Sequence, residues 1–261
     1  MSMETSPIVV FDRISKSFGP KQVLRNVSFE VPAGQALCIL GRSGTGKSVT
    51  LKLLVSLLKP DHGSIWVDQQ EITRMKEAEL SKVRRKMGFL FQDAALFDSL
   101  TLYENLALPL QRLTDKTQEE IDAVIDSVLG QVGLGNDKKK MPSELSGGMR
   151  KRAGLARALA LDPDILFFDE PSAGLDPITS KRLDDLILEL RNGLGATIVM
   201  VSHELPSLFS ICDDGVFLDA ESRTAIAHGS PSALRDTCEH PTVKAFMLRE
   251  RIDTETPHGR V

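Results

Sequence analysis

The sequence predicts an α/β fold in which a largely parallel, buried sheet is accompanied by an antiparallel side sheet and an inserted helical subdomain. After residue 163, short apolar runs alternate with helical periodicity, which is typical of parallel strands joined by crossover helices. Residues 8–31 instead alternate polar and apolar side chains between turns that contain Gly and Pro, as antiparallel strands do. Residues 93–161 lose strand character, so we expect the helical subdomain to cover about 93–163.

Each element follows from its local pattern. Strands are predicted where apolar runs have strand length, within 8–31 and at 35–40, 64–68, 87–91, 165–168, 197–201 and 215–218. Helices are predicted where apolar residues recur with helical spacing, at 49–58, 77–86 and 180–191 and within the helical subdomain. We expect one domain over 7–235 and a C-terminal tail over 236–261. Its amphipathic piece at 243–248 is compatible with either a small docking helix or a frayed end.

Composition and charge argue against several classes of protein. A net charge of −4 gives no overall attraction to nucleic acid. Apolar runs are far shorter than the roughly 18 residues that span a bilayer, so membrane association must come through another protein. The first seven residues lack the basic start and apolar stretch of a secretory signal. Cys38, Cys212 and Cys238 are odd in number and widely spaced, which favours packing residues in a reducing cytosol over a disulfide framework.

A phosphate-binding motif of the form G-x-x-x-x-G-K-[ST] lies between the strand at 35–40 and the following helix, whose early residue Val49 we include in the binding set. The motif consists of Gly41, Arg42, Ser43, Gly44, Thr45, Gly46, Lys47 and Ser48. Its glycines let several backbone N–H groups point at one anion, and the helix adds its positive end. Lys47 is placed to neutralise the β- and γ-phosphates of a nucleoside triphosphate, and the Ser48 hydroxyl to ligate Mg²⁺. The alternative, a flexible glycine turn, does not require this strand-loop-helix context.

A second phosphate-site element follows the buried run at 165–168, because Asp169 and Glu170 come at the end of that strand. We expect Asp169, which is nearer the strand, to hold Mg²⁺ directly or through water. Glu170 can then reach the attacking water as a general base. The alternative, an acidic pair that caps the next helix, is disfavoured beside a complete phosphate-binding motif.

The decisive second motif consists of Leu145, Ser146, Gly147, Gly148 and Met149 and is followed by a basic helix at 150–159. Ser146 lies where an N-cap residue would, and the two glycines bare backbone N–H groups at the positive end of the helix, which makes a second anion site. This run resembles the signature of the ATP-binding cassette (ABC) family. The alternative, a plain glycine-rich helix cap, leaves the pairing of the two motifs unexplained.

The ABC resemblance extends over residues 8–229, because the remaining family elements occur in order. It implies a P-loop ATPase core that binds ATP and Mg²⁺, and a homodimer in which two chains sandwich two ATP molecules head to tail. It also implies roles for four further side chains. Phe18 would stack on adenine, Gln92 would sense Mg²⁺ and the lytic water, Asp176 would lie at the dimer seam, and His203 would contact the γ-phosphate.

One residue departs from the family pattern, and the other histidines lie outside it. Met149 stands where many members have glutamine, which puts a side-chain hydrogen bond to the ribose in doubt while the backbone donors remain. The other histidines have no metal-ligand spacing and are expected at the surface, namely His62, His228, His240 and His258.

Residues 92–110 resemble the corresponding stretch of the ATPases that work with MCE-domain proteins, the Mla-type phospholipid transporters of Gram-negative envelopes. Residues 142–149 and 169–179 resemble the same group. The resemblance implies an ATPase on the cytoplasmic face of the inner membrane, with glycerophospholipid as cargo and no nucleic-acid partner. Its partners would be an integral membrane permease, an MCE substrate-binding protein and a small STAS-domain subunit. Four apolar residues would form either a notch for a permease helix or subdomain core: Leu96, Phe97, Leu100 and Leu102.

Two other functions stay open at the level of sequence. One is the ATPase subunit of a solute importer or exporter, since the ATPase does not contact the cargo. The other is a soluble, nucleotide-switched ABC protein that acts on nucleic acid or ribosomes. DNA-repair relatives usually insert long coiled coils or zinc sites, and translation-factor relatives carry two cassettes. This chain has one cassette and neither heptads nor paired cysteines.

Overall fold

The computed structural model describes residues 6–250, so that residues 1–5, the end of the predicted tail (251–261) and His258 lie outside the described residues. The strands are β1 (Pro7–Phe18), β2 (Lys21–Pro32), β3 (Ala36–Leu40), β4 (His62–Val67), β5 (Gln70–Glu71), β6 (Met87–Leu90), β7 (Ile165–Asp169), β8 (Thr197–Val201), β9 (Asp214–Leu218) and β10 (Ala225–Gly229). The helices are α1 (Lys47–Leu54), α2 (Glu77–Arg84), α3 (Leu102–Leu113), α4 (Gln118–Gln131), α5 (Gly147–Leu159), α6 (Pro177–Leu194), α7 (Leu205–Ile211), α8 (Pro231–Asp236) and α9 (Pro241–Leu248). A short 3-10 helix covers Pro142–Glu144.

The central sheet confirms the predicted α/β fold. Its strand order is β10-β9-β3-β8-β7-β6, and β9, β3, β8, β7 and β6 run parallel. Every residue of β3, β7 and β8 is buried, because parallel strands are covered on both faces. The carboxyl ends of β3, β6, β7 and β8 therefore meet at one edge of the sheet. The phosphate loop, Gln92, Glu170 and His203 all follow strands that end at this edge.

The predicted antiparallel side sheet is also present, in the order β2-β1-β4-β5. Its inner face is packed by apolar side chains such as Phe11 and Phe29, whose ring centroids are 4.8 Å apart. Strand β3 separates two cores, because Leu37 and Ile39 face the side sheet whereas Cys38 faces the helices on the other side. The phosphate loop thus leaves a strand that is held rigidly from both faces.

Helices α3, α4 and α5 lie between β6 and β7 in the chain and contribute to the core that contains Cys38. Thr101 and Glu104 form a capping box that starts α3. Asn105 is fully buried, and its amide donates to the carbonyls of Phe97 and Leu100, both at 3.1 Å. This amide therefore fixes the turn that leads from β6 into α3.

The four residues for which a notch and a core role stayed open do not share one environment. Leu102 is fully buried in the core, whereas 51% of Phe97 is exposed. Leu96 and Leu100 are half-buried. Leu102 is therefore a core residue, and Phe97 is the member that offers apolar surface.

Two helices end earlier than the sequence pattern predicts. Helix α1 ends at Leu54 rather than near residue 58, because Ser56 takes a left-handed φ of 55° and the Leu57 N–H turns back to the Lys52 carbonyl. Helix α2 ends at Arg84 rather than near residue 86, and its terminal guanidinium donates to the Ser56 carbonyl at 2.9 Å. The spacing of apolar residues alone does not indicate where α1 and α2 end.

The segment 243–248 lies in α9, which is docked on the central sheet. Val243 and Met247 are buried, and the ring of Phe246 packs edge to face on Phe217 of β9 with the centroids 5.2 Å apart. The described part of the tail is therefore an ordered helix rather than a frayed end. Within residues 6–250, no helix combines the length and the apolar character needed to cross a membrane.

Candidate nucleotide-binding site

The segment 41–48 leaves β3 and enters α1 as a tight glycine loop. Gly41, Gly44 and Gly46 have φ values of 143°, 81° and 96°, which other residues rarely adopt. A Cβ on Gly41 would lie 2.4 Å from the Leu218 carbonyl oxygen, so only glycine fits there. Helix α1 begins at Lys47 without a side-chain cap, which leaves its first N–H groups available to an anion.

A cavity of about 710 Å³ opens above this loop. Of the predicted site residues, it is lined by Phe18, Gly41, Arg42, Ser43, Gly44, Gly46, Lys47, Ser48, Val49, Gln92, Glu170 and His203. Thr45 lies beneath the loop, and its hydroxyl donates to the Arg42 carbonyl at 3.0 Å. The ring of Phe18 is 46% exposed, so one aromatic face is open at the rim. A cavity with an aromatic rim and an N–H-rich floor suits a nucleoside triphosphate.

Ser48 and Asp169 come together at the floor of the cavity although they are 121 positions apart in the chain. The Ser48 hydroxyl donates to the Asp169 carboxylate at 3.0 Å, and burial raises the pKa of this carboxyl while the Ser48 bond opposes that rise. Hydroxyl and carboxylate oxygens are ligands that Mg²⁺ prefers, so the pair fits this ion. In the described part of the chain, no cluster of three His, Cys, Asp or Glu side chains could hold a metal by itself. Phosphate and water would therefore complete the coordination.

The side chain of Lys47 folds over the loop. Its Nζ donates to the carbonyl of Gly41 at 2.7 Å and to that of Arg42 at 3.0 Å. Burial lowers the pKa of Lys47, while the nearby charges of Glu170 and Asp169 act in the opposite direction. The carboxylates of Glu170 and Asp169 thus favour the protonated form of Lys47 at the place where the phosphates would bind.

Glu170 is positioned by the backbone and by a histidine from the segment that follows the neighbouring strand β8. Its φ of 51° turns the chain sharply after β7, and its N–H donates to the Val201 carbonyl at 2.9 Å. Its Oε2 lies 2.7 Å from His203 Nδ1 and accepts the His203 backbone N–H at 3.4 Å. The pair forms because β7 and β8 are adjacent and end at the same level.

The signature residues lie apart from this cavity. Ser146 is the N-cap of α5, and its hydroxyl accepts the Met149 N–H at 3.3 Å. Ser146, Gly148 and Met149 line a separate cavity of about 460 Å³, together with Arg152 and Thr179 among others. A single chain therefore does not bring its signature helix to its own phosphate loop.

Asp176, which the resemblance places at a dimer seam, caps helix α6. Its carboxylate accepts the N–H groups of Ile178 and Thr179, both at 3.1 Å, and the Thr179 hydroxyl at 2.6 Å. These bonds, led by the Thr179 hydroxyl, lower the pKa of Asp176. A Cβ on Gly148 would lie 2.6 Å from Thr179 Cγ2, so the capped turn and the signature helix are in close contact. Asp176 lines neither of the two cavities.

The remaining cysteines and histidines do not enter the site. All three cysteines are free; Cys38 is buried and the other two, Cys212 and Cys238, are half-buried. The histidines that the sequence assigns to the surface are exposed where the structure describes them, at His62, His228 and His240.

Three residues that sequence reasoning did not include also line the nucleotide cavity. Lys21 and Val23 begin β2, directly after the turn that carries Phe18, and this proximity in sequence could have suggested them. Phe246 reaches the cavity from α9. Its amphipathic surroundings predicted a helix, but nothing in the sequence says which cavity that helix meets.

Comparison with known proteins decides the family. Residues 24–173 match the sequence model of the family described as ABC transporter. The chain belongs to this family. It is 43% identical over 239 residues to the probable ribonucleotide transport ATP-binding protein mkl of Mycobacterium leprae, an alignment that covers 92% of this chain and 68% of that protein. It is 40% identical over 247 residues to the intermembrane phospholipid transport system ATP-binding protein MlaF of Escherichia coli K12, covering 95% of this chain and 91% of the relative.

The solved structures agree with this assignment. The ABC ATPase superposes on the ATP-binding cassette MJ0796, solved as a dimer in a post-hydrolysis state with ADP and Pi, with a TM-score of 0.77 and 30% identity over 85% of this chain and 98% of that one. The predictions of an ABC-type P-loop core, of ATP binding and of ATPase activity are therefore confirmed. The chain spans about two thirds of the length of the mycobacterial relative.

Proposed function

We propose that this ABC ATPase powers a separate membrane permease that moves phospholipid between the inner and outer membranes, and that ATP closes two copies of the chain around two nucleotides. The observation that carries the enzymatic part is the contact of 2.7 Å between Glu170 and His203, in the same cavity as the phosphate loop. The cargo is supported by the E. coli relative, which is named for phospholipid transport and matches over 91% of its own length.

ATP would enter with its adenine on the exposed ring of Phe18 and its phosphates on the loop. The N–H groups at the start of α1 meet the phosphate oxygens, because no side chain caps that helix. Lys47 exchanges its two loop carbonyls for phosphate oxygens, and each neutral acceptor is thereby replaced by a stronger, charged one.

Ser48 and Asp169 would hold Mg²⁺, with Gln92 as a further ligand from the end of β6. When bound, the ion neutralises charge on the β- and γ-phosphates. Separation of the Ser48–Asp169 hydrogen bond would free one oxygen of each side chain for the ion.

Hydrolysis is assigned to Glu170 as the general base. Both contacts with His203 fall on Oε2, so we assign Oε1 to accept the proton of the attacking water. The carboxylate is 13% exposed, whereas the imidazole of His203 is 56% exposed. His203 Nε2 lies 3.5 Å from Glu204 Oε1, and it would exchange that contact for a γ-phosphate oxygen, to which it donates as charge develops in the transition state.

The signature helix would bind the nucleotide of the partner copy. The first N–H groups of α5, at Gly147 and Gly148, point out of a 13-residue helix whose positive end favours an anion. In one chain Ser146, Gly148 and Met149 line a different cavity from the phosphate loop. In two copies arranged head to tail, the phosphate loop of one chain and the start of α5 of the other would meet the same nucleotide. The solved relative is dimeric. Asp176 then has an indirect part, since it holds the turn that packs on Gly148.

The cargo and the partners are inferred from the relatives. The mycobacterial protein is named for ribonucleotide transport, but this chain matches only 68% of its length. The same chain matches 91% of the length of the relative that is named for phospholipid transport. This difference favours a phospholipid system. The partners would then be a permease, an MCE substrate-binding protein and a small STAS-domain subunit, with the ATPase on the cytoplasmic face of the inner membrane. We assign the exposed ring of Phe97 to the permease contact.

The test uses Glu170→Gln in the full-length chain. The amide keeps the shape of the side chain but cannot take a proton, so turnover should fall about 10³-fold while ATP binding persists. Light scattering with MgATP should show a stable dimer. Glu30→Gln, at an exposed position of β2, is the matched control and should behave as the parent protein. Wild-type turnover in Glu170→Gln would refute the assignment of the general base.

The transport part is tested separately. Glu170→Gln complexes are isolated from gently solubilised membranes with MgATP, and their companions are identified by mass spectrometry. Recovery of a permease with an MCE protein and bound phospholipid supports the proposal. Recovery with a solute receptor, or with nucleic acid and no membrane protein, contradicts it and favours import or a soluble switch, respectively.

A further inference from the structure

Lys151, one turn into helix α5, is a buried cation that the ATPase mechanism above does not use. Lys151 is 6% exposed, whereas most lysines of the chain face water. Its Nζ donates to the backbone carbonyl of Gln92 and lies 3.4 Å from the backbone carbonyl of Glu170. One ammonium group therefore bridges the segment after β6 and the segment after β7.

The contacts are made to backbone rather than to side chains, and this matters for their effect. A bond to a side chain can be lost by rotation about one torsion, whereas a bond to a carbonyl restrains the position of the chain itself. Lys151 thus restrains the places from which Gln92 and Glu170 project without occupying either side chain. Burial lowers the pKa of Lys151, and the charges of Asp93, Glu170 and Asp169 oppose this. Lysines are rarely buried unless the ammonium group is paired, and here two backbone carbonyls supply the partners.

A second cation of α5 acts on the same segment. Arg157 donates to the carbonyl of Ala94 at 3.0 Å and to that of Ala95 at 2.6 Å. Ala94 and Ala95 have φ values of 59° and 49°, so this stretch is held in a left-handed conformation that alanine disfavours. Residues 92–95 are therefore fastened along one face of α5 at two points.

We propose that Lys151 is a positioning residue that links the signature helix to both Gln92 and Glu170, so that a shift of α5 moves the two groups together. The inference deepens the proposed function and rests on it. It assigns to this chain a connection between the site that grips one nucleotide and the site that hydrolyses the other. The connecting group is a hydrogen-bond donor, and we expect donors of similar reach to replace it.

The test compares Lys151→Met, Lys151→Arg and Lys151→Gln in the full-length chain. Methionine keeps an unbranched side chain of similar length but has no N–H donor. We expect Lys151→Met to lower kcat about tenfold while KM for ATP and the Kd of a fluorescent ATP analogue change less than about twofold. At least one of the arginine and glutamine variants should recover most of the lost kcat, since each can donate to the same carbonyls. Lys82→Met, at an exposed position of α2, is the control and should leave all values unchanged.

Thermal unfolding separates positioning from a merely structural role. An unchanged kcat in Lys151→Met, or failure of both donor variants to recover it, overturns the inference. A parallel loss of kcat, nucleotide affinity and melting temperature also overturns it, because Lys151 would then only hold the fold. These outcomes differ from failure of the proposed function, in which Glu170→Gln keeps wild-type turnover.

Discussion

The signature helix packs closely on the end of β6 and on the segment that follows it at Gly154. A Cβ added there would lie 2.8 Å from Leu90 Cδ1, 2.9 Å from Ala94 Cβ and 3.2 Å from Ala94 Cα. The leucine methyl is the end of a flexible side chain and can move away. Ala94 cannot yield in this way, because its backbone is held in a left-handed conformation and its carbonyl is bonded to Arg157. Gly154→Ala must therefore displace α5 or residues 92–95.

The magnitude follows from two opposing terms. Alanine favours a helix interior by about 1 kcal/mol over glycine. Inserting one methyl group into a packed core costs about 1–3 kcal/mol, and the upper part of that range applies where backbone is the obstacle. We therefore expect a net loss of about 1–2 kcal/mol, which lowers the melting temperature by about 2–8 °C in a domain of this size.

The assay is urea unfolding followed by circular dichroism, with Gly130→Ala as the matched control. Gly130 is also helical, in α4, but an added Cβ there meets nothing within 4 Å. Gly130 is one residue from the end of α4, so the same substitution should stabilise the protein by about 0.5–1 kcal/mol there. If Gly154→Ala stabilises the chain as Gly130→Ala does, α5 does not lie against residues 92–95 as closely as the structure has it, and the reasoning fails.

Two further predictions concern the stability of the folded chain. Asp184 is 2% exposed, and its carboxylate accepts the Ser207 hydroxyl at 2.7 Å. Its Oδ1 has no hydrogen-bond partner among the described residues. Burial raises the pKa of this carboxyl. Because the folded state then binds this proton more tightly than the unfolded state, stability falls as pH rises above the ordinary value of 3.8. Asp184→Asn should remove this dependence and stabilise the protein by about 1 kcal/mol near neutral pH, measured by urea unfolding across that range. Phe246→Ala should destabilise it by about 2–3 kcal/mol through loss of the packing on Phe217, whereas Leu248→Ala, on the exposed side of α9, should cost about 0.5 kcal/mol in the same assay.

Much of the fold was predictable because its main signals are local. The runs in β3, β7 and β8 are continuously apolar. Such runs are typical of strands that are buried on both faces, and so they indicate a parallel sheet. The topology of such sheets brings the carboxyl ends of the strands to one edge. The meeting of Ser48 with Asp169, and of Glu170 with His203, therefore follows from the strand order rather than from the sequence separation of the residues.

What escaped prediction depends on packing between distant segments. The sequence around Phe246 has helical spacing, but its place in the nucleotide cavity depends on how α9 docks on Phe217. Lys151 lies within a run of basic residues that is typical of a solvated helix face, and only the closeness of α5 to β6 turns it inward. The early end of α1 depends on a single left-handed residue, Ser56, which no periodicity records.

Helix α5 would connect the two nucleotides of the proposed dimer. Its N-terminal groups, at Ser146 and Gly147, would grip the phosphate of the partner's ATP, while Lys151 restrains Glu170, which acts on the chain's own ATP. Ser146 and Lys151 are five positions apart, about 7.5 Å along the helix, so no flexible segment intervenes between the two contacts. A displacement of the helix when one γ-phosphate leaves would therefore be transmitted to the general base of the other site. We expect the two hydrolysis events to influence each other, and a dimer that carries Lys151→Met in one copy should show which site loses turnover.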